Sequence, residues 1–198
     1  MGLALLVWLA VAALRGSSQP AATPTATSSE SASPSPSATN AGGPITVAAV
    51  KDFDPSGDNG NDEEFPDKVG NVVDGDASTS WTTMRYLNRP TMGGLKPGVG
   101  LVLDLGEAHE VGGIDITFVG AGPTKVELRA PKGEQASMKT VEDWKVVAKN
   151  KAMAPGKGTI TPDSTLTTRY VLVYLTELPP VDGGFQGEIA EIAVQPPR

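Results

Sequence analysis

The chain has no cysteine and only one histidine among its 198 residues. Without cysteine there can be no disulfide, no thiolate metal site and no thiol nucleophile. A single histidine excludes a zinc site built from several histidines. Thiol catalysis and most metalloenzyme chemistry are therefore excluded.

The chain also has fewer basic than acidic residues. Lys and Arg number 16 against 23 Asp and Glu, for a formal net charge of −7 at pH 7. Residues 1–45 contain one Arg and one Glu, so this negative charge belongs to the remainder of the chain. Nucleic acids bind to broad basic surfaces, which this charge balance does not provide, and we therefore expect no nucleic-acid partner.

The sequence lacks a hydrophobic run long enough to cross a bilayer. Residues 3–14 are twelve consecutive apolar positions, whereas a spanning helix needs about 20. Nothing basic precedes the run, and Arg15 follows it, which is the wrong side for an export signal. Residues 1–15 are therefore either an atypical signal-like segment or part of a membrane helix that begins upstream of Met1, and we favour the second.

Residues 16–44 have the composition of a linker. Ser, Thr, Pro and Ala fill 23 of the 29 positions, and Glu30 is the one charged residue. Such a segment buries too little apolar surface to offset the entropy of ordering. We predict a disordered linker that leaves the membrane on its outer face, so that the folded domain, residues 45–198, is extracytoplasmic.

The folded part reads as strands separated by Gly, Pro and Asp. Alternating or β-branched runs occur at residues 45–51, 100–105, 111–119, 124–130, 144–148, 158–161, 169–176 and 189–194. No stretch sustains a helical period beyond about two turns. The sequence predicts an all-β fold, an eight-stranded jelly-roll β-sandwich, as one monomeric domain.

The most specific segment is an acidic turn that precedes a tryptophan, residues 71–81. Ca²⁺ prefers six to eight oxygen ligands, and this turn offers the Asp74 carboxylate, the carbonyls of Asn71 and Asp76, and Thr79. A second carboxylate, Glu191, lies between apolar positions in the last predicted strand. The alternative is an Asx turn without metal, with Glu191 pointing outward from its strand.

The D-G-D-x-x-T-x-W turn and the late A-E-I-x-V strand resemble the coagulation factor V/VIII type C, or discoidin, domain and related galactose-binding-like carbohydrate-binding modules. The resemblance spans residues 46–195 and implies an eight-stranded jelly roll with a structural calcium. It implies these calcium ligands: Asn71, Asp74, Asp76, Thr79, Ala190 and Glu191.

Residues 52–55, 72–81 and 94–106 also resemble the extracytoplasmic end of actinobacterial kinase-like membrane proteins associated with the MviN-type lipid II flippase of peptidoglycan synthesis. That resemblance implies a membrane helix, a Ser/Pro linker and this domain, in that order. It departs from the family in one respect, because these 198 residues contain no kinase motif.

Candidate ligand-binding residues follow the tryptophan turn. Arg85, Tyr86 and Arg89 combine an aromatic ring with two guanidinium groups, which suits sugar stacking and the recognition of carboxylate or phosphate. Phe185, in the Gly-rich loop before the last strand, is expected at the same end. The alternative is that Tyr86 and Phe185 cover the core and that the arginines balance neighbouring acids.

Residues 52–67 contain seven acidic side chains, which predicts a solvated acidic loop, with a second calcium site as the alternative. No catalytic set stands out anywhere in the sequence. We therefore expect a non-catalytic binding module for a cell-envelope glycan or a peptidoglycan precursor, as the sensor or anchor part of a kinase-like cell-wall protein. The alternative is an interaction module that docks another envelope protein.

Overall fold

The computed structural model describes residues 42–198. The predicted membrane or signal-like segment, and all of the predicted linker except its last three residues, lie outside the described residues. Between residues 42 and 198, no helix combines the length and the apolar character that a membrane crossing requires.

The described chain contains eleven strands. They are β1 (Ala49–Phe53), β2 (Trp81–Thr82), β3 (Val99–Val111), β4 (Gly113–Phe118), β5 (Thr124–Pro131), β6 (Trp144–Met153), β7 (Gly156–Ile160), β8 (Leu166–Glu177), β9 (Pro180–Val181), β10 (Gly184–Phe185) and β11 (Glu188–Gln195). Four 3-10 helices connect them, at Ser56–Asp58, Pro66–Val73, Met92–Gly94 and Val141–Asp143.

Two antiparallel sheets form a sandwich. The five-stranded sheet has the order β1-β3-β8-β5-β6, and the four-stranded sheet has the order β2-β11-β4-β7. Strands β9 and β10 pair separately as a short hairpin. Alternate residues of each strand point between the sheets, as Leu101, Leu103 and Leu105 of β3 do, and these side chains form the core. The all-β sandwich expected from the sequence is confirmed.

Each of the eight runs with an alternating pattern overlaps a strand. The first is shifted, because β1 begins at Ala49 and Ile45 forms only a single bridge with Val194. The predicted count of eight strands is wrong, because the two sheets have nine strands and the hairpin adds two. The sequence missed β2, β9 and β10, which have two residues each. A two-residue strand is too short to show a period, and its pairing depends on neighbours that are distant in the sequence.

A second apolar cluster covers the outer face of the five-stranded sheet. Its buried members are Phe53, Val102, Val141, Trp144, Leu172 and Tyr174. The segment between β5 and β6 folds over this face, with Ala136 and Met138 packed against the cluster. That segment forms an additional layer on the outer face of the five-stranded sheet. The candidate sites lie in the loops at the ends of the sandwich.

Candidate functional site

The acidic turn ahead of Trp81 is held together by its own side chains. Asp74 accepts the backbone N–H of Asp76 at 2.8 Å through Oδ1 and the Thr79 hydroxyl at 2.8 Å through Oδ2. The same hydroxyl lies 3.0 Å from the carbonyl oxygen of Asp76. Hydrogen bonds from Ser78 lower the pKa of the Asp76 carboxyl. Three oxygens of the predicted ligand set therefore lie within one turn.

Glu191 of β11 faces this turn from the adjacent strand. Burial raises the pKa of its carboxyl, and the negative charge of Asp74 raises this pKa further. A hydrogen bond from the backbone N–H of Gly75 lowers it in part. Atom Oε1 of Glu191 is buried and has no hydrogen-bond partner among the described residues. A cleft of about 290 Å³, lined in part by Val73, Gly75 and Glu191, opens beside it.

A bulge in β11 accounts for the direction of Glu191. Ile189 pairs with Phe118 and Glu191 pairs with Thr117, so Ala190 is an extra residue between two consecutive pairs. A bulge leaves its extra residue out of the ladder and redirects the side chain beside it. The bulge therefore leaves Ala190 outside the ladder, and no local pattern in the sequence predicts it.

The arrangement fits a cation in its donor chemistry. Two carboxylates approach each other, and one of their oxygens is buried without a partner, which is the defect that a bound cation would remove. Among residues 42–198, however, no group of three or more Asp, Glu or His side chains is placed so that it could hold a metal ion. The remaining ligands would have to be the Thr79 hydroxyl and backbone carbonyls. Asn71 belongs to the 3-10 helix before the turn, and its side-chain amide donates to the carbonyl of Ser80 at 2.8 Å.

The ligand-binding candidates lie together at one end of the sandwich. Tyr86 and Phe185 form an isolated antiparallel bridge, with backbone hydrogen bonds of 2.9 and 2.8 Å. Arg85 extends towards the β9–β10 turn, where its guanidinium lies 3.4 Å from the carbonyl oxygen of Asp182. Arg89 lies on the same exposed loop, four residues further along. Phe185 is partly buried and packs against the core.

Tyr86 corrects the expectation of an exposed stacking ring. Its side chain is only 6 % exposed, and its hydroxyl donates to the buried Glu64 carboxylate. Burial and the adjacent negative charge both raise the pKa of the phenol. The ring is therefore unavailable to a sugar in this conformation, and Tyr86 supports the loop from beneath.

Glu64, which the sequence analysis did not single out, contacts several segments that are distant in the chain. Its Oε2 accepts the backbone N–H of Met84 at 2.5 Å, and Oε1 lies 3.3 Å from Nζ of Lys96. Its carbonyl accepts the indole N–H of Trp81 at 2.6 Å, and its own N–H donates to Asp52 at 2.7 Å. Desolvation raises the pKa of the Glu64 carboxyl despite these hydrogen bonds.

Lys96 completes a buried ionic cluster of Asp54, Glu64, Tyr86 and Lys96. The lysine side chain is 7 % exposed, those of Asp54 and Glu64 are fully buried, and the ammonium forms ion pairs with both carboxylates. Its Nζ also lies 5.3 Å from the centre of the Tyr86 ring. No local pattern predicts this cluster, because Glu64 and Lys96 are 32 residues apart.

The loop of seven acids is therefore not a simple solvated loop. Asp58 accepts the Thr140 hydroxyl and the backbone N–H of Val141, and Asp62 accepts the N–H of Ser56. Asp54, which is buried, accepts the N–H of Asn61. These carboxylates fold the loop by satisfying its backbone donors, where the sequence predicted that they would face water.

Backbone strain is concentrated in two loops, the acidic loop after β1 and the loop between β2 and β3. The non-glycine residues with positive φ among those described are Asn59 (68°), Asp62 (60°), Phe65 (55°), Asn88 (68°) and Met92 (45°). All lie in residues 59–65 or 88–92, the segments that meet around the ionic cluster. Such conformations cost of order 1–3 kcal/mol each and persist only where surrounding contacts enforce them, which occurs most often at functional sites.

The loop between β2 and β3 exposes apolar side chains beside its arginines. Leu87 is 59 % exposed and Leu95 is 65 % exposed, while Met92 between them is fully buried and holds the loop to the core. We call residues 84–95, together with the β9–β10 turn, the loop-end surface.

No protein-family model matches the chain. Several solved structures are similar to it. Chitosan-binding module 1 of a chitosanase/glucanase from Paenibacillus sp. IK-5 is 15 % identical, with a TM-score of 0.54 over 78 % of this chain and 99 % of the module. The CBM32 of AlyQ, in complex with 4,5-unsaturated mannuronic acid, is 14 % identical, with a TM-score of 0.52 over 78 % and 98 %. A pectin-binding carbohydrate-binding module is 16 % identical, with a TM-score of 0.52 over 76 % and 91 %.

At these identities the comparisons establish the fold. The described domain has the galactose-binding-like, discoidin-like jelly-roll fold that these carbohydrate-binding modules share, which confirms the resemblance found in the sequence. The narrower resemblance to kinase-like envelope proteins stays a prediction.

Proposed function

We propose that this domain is a non-catalytic module that binds a glycan at the loop-end surface. The observation that carries the proposal is that three features lie together in one pair of loops. The buried ionic cluster, all five strained non-glycine residues and the exposed Leu87 and Leu95 belong to the same pair of loops. A binding surface that is fixed in advance loses little conformational entropy when a ligand arrives, so rigid loops favour affinity.

The fold supports a glycan as the ligand. The similar modules are described as binding chitosan, an unsaturated mannuronic acid and pectin. Fold alone does not determine function, and the proposal therefore depends on the surface as well as on the likeness.

The acidic groups beneath the loop-end surface favour binding over catalysis. Glycoside hydrolysis needs two carboxyl groups that reach the sugar from opposite sides. Asp54 and Glu64 have fully buried side chains that pair with Lys96, so neither reaches the solvent. We therefore propose recognition without bond cleavage.

We propose a cell-envelope setting for this binding. The apolar N-terminal run would serve as a membrane tether, the linker would extend the domain outside the cell, and the ligand would be peptidoglycan or its lipid-linked precursor. In this setting the domain would be the outer sensor or anchor part of a kinase-like cell-wall protein. The support is the composition of residues 1–44 and the resemblance of residues 52–55, 72–81 and 94–106. Proteolysis of intact spheroplasts should degrade the domain, and protection until lysis would contradict an extracytoplasmic location.

Co-sedimentation with purified peptidoglycan sacculi tests the binding proposal. We expect the wild-type chain to pellet with sacculi and Leu87→Asp to remain in the supernatant, because a charge on this exposed side chain would disrupt an apolar contact. A matched control is Val146→Asp on β6, where a 45 % exposed valine lies outside the loop-end surface. Equal sedimentation of both variants would place binding elsewhere, and no sedimentation of the wild type with sacculi or lipid II fragments would reject the glycan proposal.

A protein-docking module is the second candidate function. Exposed Leu87 and Leu95 give the loop-end surface an apolar character that a protein partner could also cover, and Val181 of β9, beside that surface, is exposed as well. Cross-linking in intact cells discriminates the two, because a protein partner gives an adduct of defined mass whereas a glycan gives a heterogeneous series.

We further propose a structural calcium between Asp74 and Glu191. The support is the buried, unpartnered Oε1 of Glu191 opposite a turn rich in oxygen donors. Such an ion would join the turn to the last strand, away from the loop-end surface, and would act on stability.

A further inference from the structure

Arg85 and Arg89 of the loop-end surface have no carboxylate partner within the described chain, unlike Arg129 and Arg169. Within the described chain, Arg129 pairs with Glu127 at 2.8 Å, and Arg169 forms two parallel bonds to a carboxylate, at 2.8 and 2.9 Å. Among residues 42–198, neither Arg85 nor Arg89 has a carboxylate oxygen within 4 Å of its guanidinium.

The missing ion pairs do not follow from a shortage of carboxylates. Residues 46–198 have 22 acidic against 15 basic side chains, so carboxylates are in excess. Arg129 and Arg169 show that arginines of this domain can pair with a carboxylate. An arginine fork matches a carboxylate or a phosphate with two parallel hydrogen bonds. The Arg85 guanidinium has a long contact, 3.4 Å, with the carbonyl oxygen of Asp182, and neither Arg85 nor Arg89 makes the paired bonds to a carboxylate within residues 42–198, so both forks can bind a ligand of that chemistry.

Both exposed arginine side chains pass close to a glycine. A Cβ atom placed on Gly94 would lie 3.4 Å from a guanidinium nitrogen of Arg89, and one on Gly184 would lie 3.1 Å from Cγ of Arg85. Each arginine therefore lies along the backbone of a glycine. Gly94 has φ of +78°, a conformation that also disfavours any side chain there.

The chain between the two arginines is anchored at one residue and turns at another. The buried Tyr86 lies immediately after Arg85, and Asn88, with φ of 68°, lies immediately before Arg89. Between them Leu87 is 59 % exposed. The loop therefore presents a cation, an apolar side chain and a second cation in that order along the chain.

We propose that Arg85 and Arg89 recognise oxyanions, so that the glycan bound at the loop-end surface is an anionic one. This inference rests on the proposed glycan-binding function. The shared chemistry is a planar or tetrahedral oxyanion, which a sugar supplies either as a carboxylate or as a phosphate.

Three preparations of one glycan separate these sources. Sacculi from a Gram-positive bacterium have both peptidoglycan carboxylates and teichoic-acid phosphates. Treatment with hydrofluoric acid removes the phosphates, and subsequent carbodiimide coupling to an amine neutralises the carboxylates. Dissociation constants of the full chain are measured on all three by co-sedimentation. Loss of affinity at the first step identifies phosphate, and loss at the second step identifies carboxylate.

Arginine variants are measured on the preparation that binds. We expect Arg85→Met and Arg89→Met each to weaken binding about tenfold, and Arg→Lys at either position to restore only part of it, because lysine retains the charge without the fork. The control Arg169→Met changes the net charge equally and should alter binding by less than about twofold. Unchanged thermal midpoints exclude misfolding as the cause.

The outcomes separate this inference from the function on which it rests. Equal binding to all three preparations, or arginine variants no weaker than the control, would overturn the anionic specificity and leave glycan binding standing. Absence of wild-type binding to every preparation would reject both.

Discussion

The indole N–H of Trp81 donates a 2.6 Å hydrogen bond to the backbone carbonyl of Glu64, and both side chains are fully buried. Through this bond the strand that follows the D-G-D turn contacts the residue at the centre of the ionic cluster. The candidate cation turn and the loop-end surface are therefore connected through two buried residues 17 positions apart.

Replacing Trp81 should be strongly destabilising. Trp81→Ala leaves a cavity in the core and an unpaired carbonyl at Glu64, and we expect a loss of about 3–5 kcal/mol in the free energy of unfolding. Urea denaturation followed by circular dichroism measures this change. Leu95→Ala, at a side chain that is 65 % exposed, is the control and should stay within about 0.5 kcal/mol. A near-neutral effect of Trp81→Ala would contradict its place in the core.

Lys96 should be far more important to stability than an exposed lysine. Lys96→Met removes the cation from two buried carboxylates, and we expect a loss of about 3–5 kcal/mol. The control is Lys125→Met, which breaks the ion pair with Glu177, where both side chains are more than a third exposed, and should cost less than about 1 kcal/mol. Chemical denaturation at pH 7 gives both values, and equal losses would show that the ionic cluster is hydrated in solution.

Calcium should raise the melting temperature if the turn and the last strand bind it. A ligand that binds only the folded state stabilises it by RT ln(1 + [L]/Kd), so the midpoint should increase with calcium concentration and return with a chelator. Asp74→Ala should abolish this response. Glu107→Ala, at a carboxylate that is 82 % exposed, should retain it. A wild-type melting curve that is identical with calcium and with chelator would reject the site.

Without metal, Glu191 should make stability depend on pH in a defined direction. Burial and Asp74 raise the pKa of its carboxyl in the folded state, so the folded state retains the proton more strongly than the unfolded state does. Stability from this group is therefore present below about pH 4.5, its ordinary pKa, and is lost as the pH rises through the raised folded value. Glu191→Gln removes that loss.

The free energy of unfolding of Glu191→Gln minus that of the wild type, both in chelator, should therefore increase from pH 4 to pH 7. The subtraction matters because Asp104 and Asp115 have lowered pKa values and give the opposite slope. A difference that is independent of pH would contradict the inferred proximity of the two carboxyl groups. At pH 7 in saturating calcium the wild type should instead be more stable than Glu191→Gln, because glutamine is a poorer calcium ligand than glutamate. The difference in the free energy of unfolding should then be negative.

Much of the architecture could be predicted from the sequence because long strands have a local signature. The alternation in residues such as those of β3 and β8 follows directly from the two-residue repeat of a strand with one buried face. The proximity of Asp74 and Glu191 was also expected, from the resemblance of two short motifs to a known family. The bulge at Ala190 that positions Glu191 could not be seen, because a bulge is defined by the pairing of two strands.

The sequence by itself determined the all-β class, the absence of thiol chemistry and the acidic character of the domain. Only the tertiary structure decided that Tyr86 is buried, that Lys96 neutralises Asp54 and Glu64, and that Arg85 and Arg89 have no carboxylate partner within the described residues. The physical reason is distance along the chain. Strand periods and turns are encoded by neighbouring residues, whereas burial and charge pairing depend on groups 22 to 42 positions apart that meet only after the sandwich has formed.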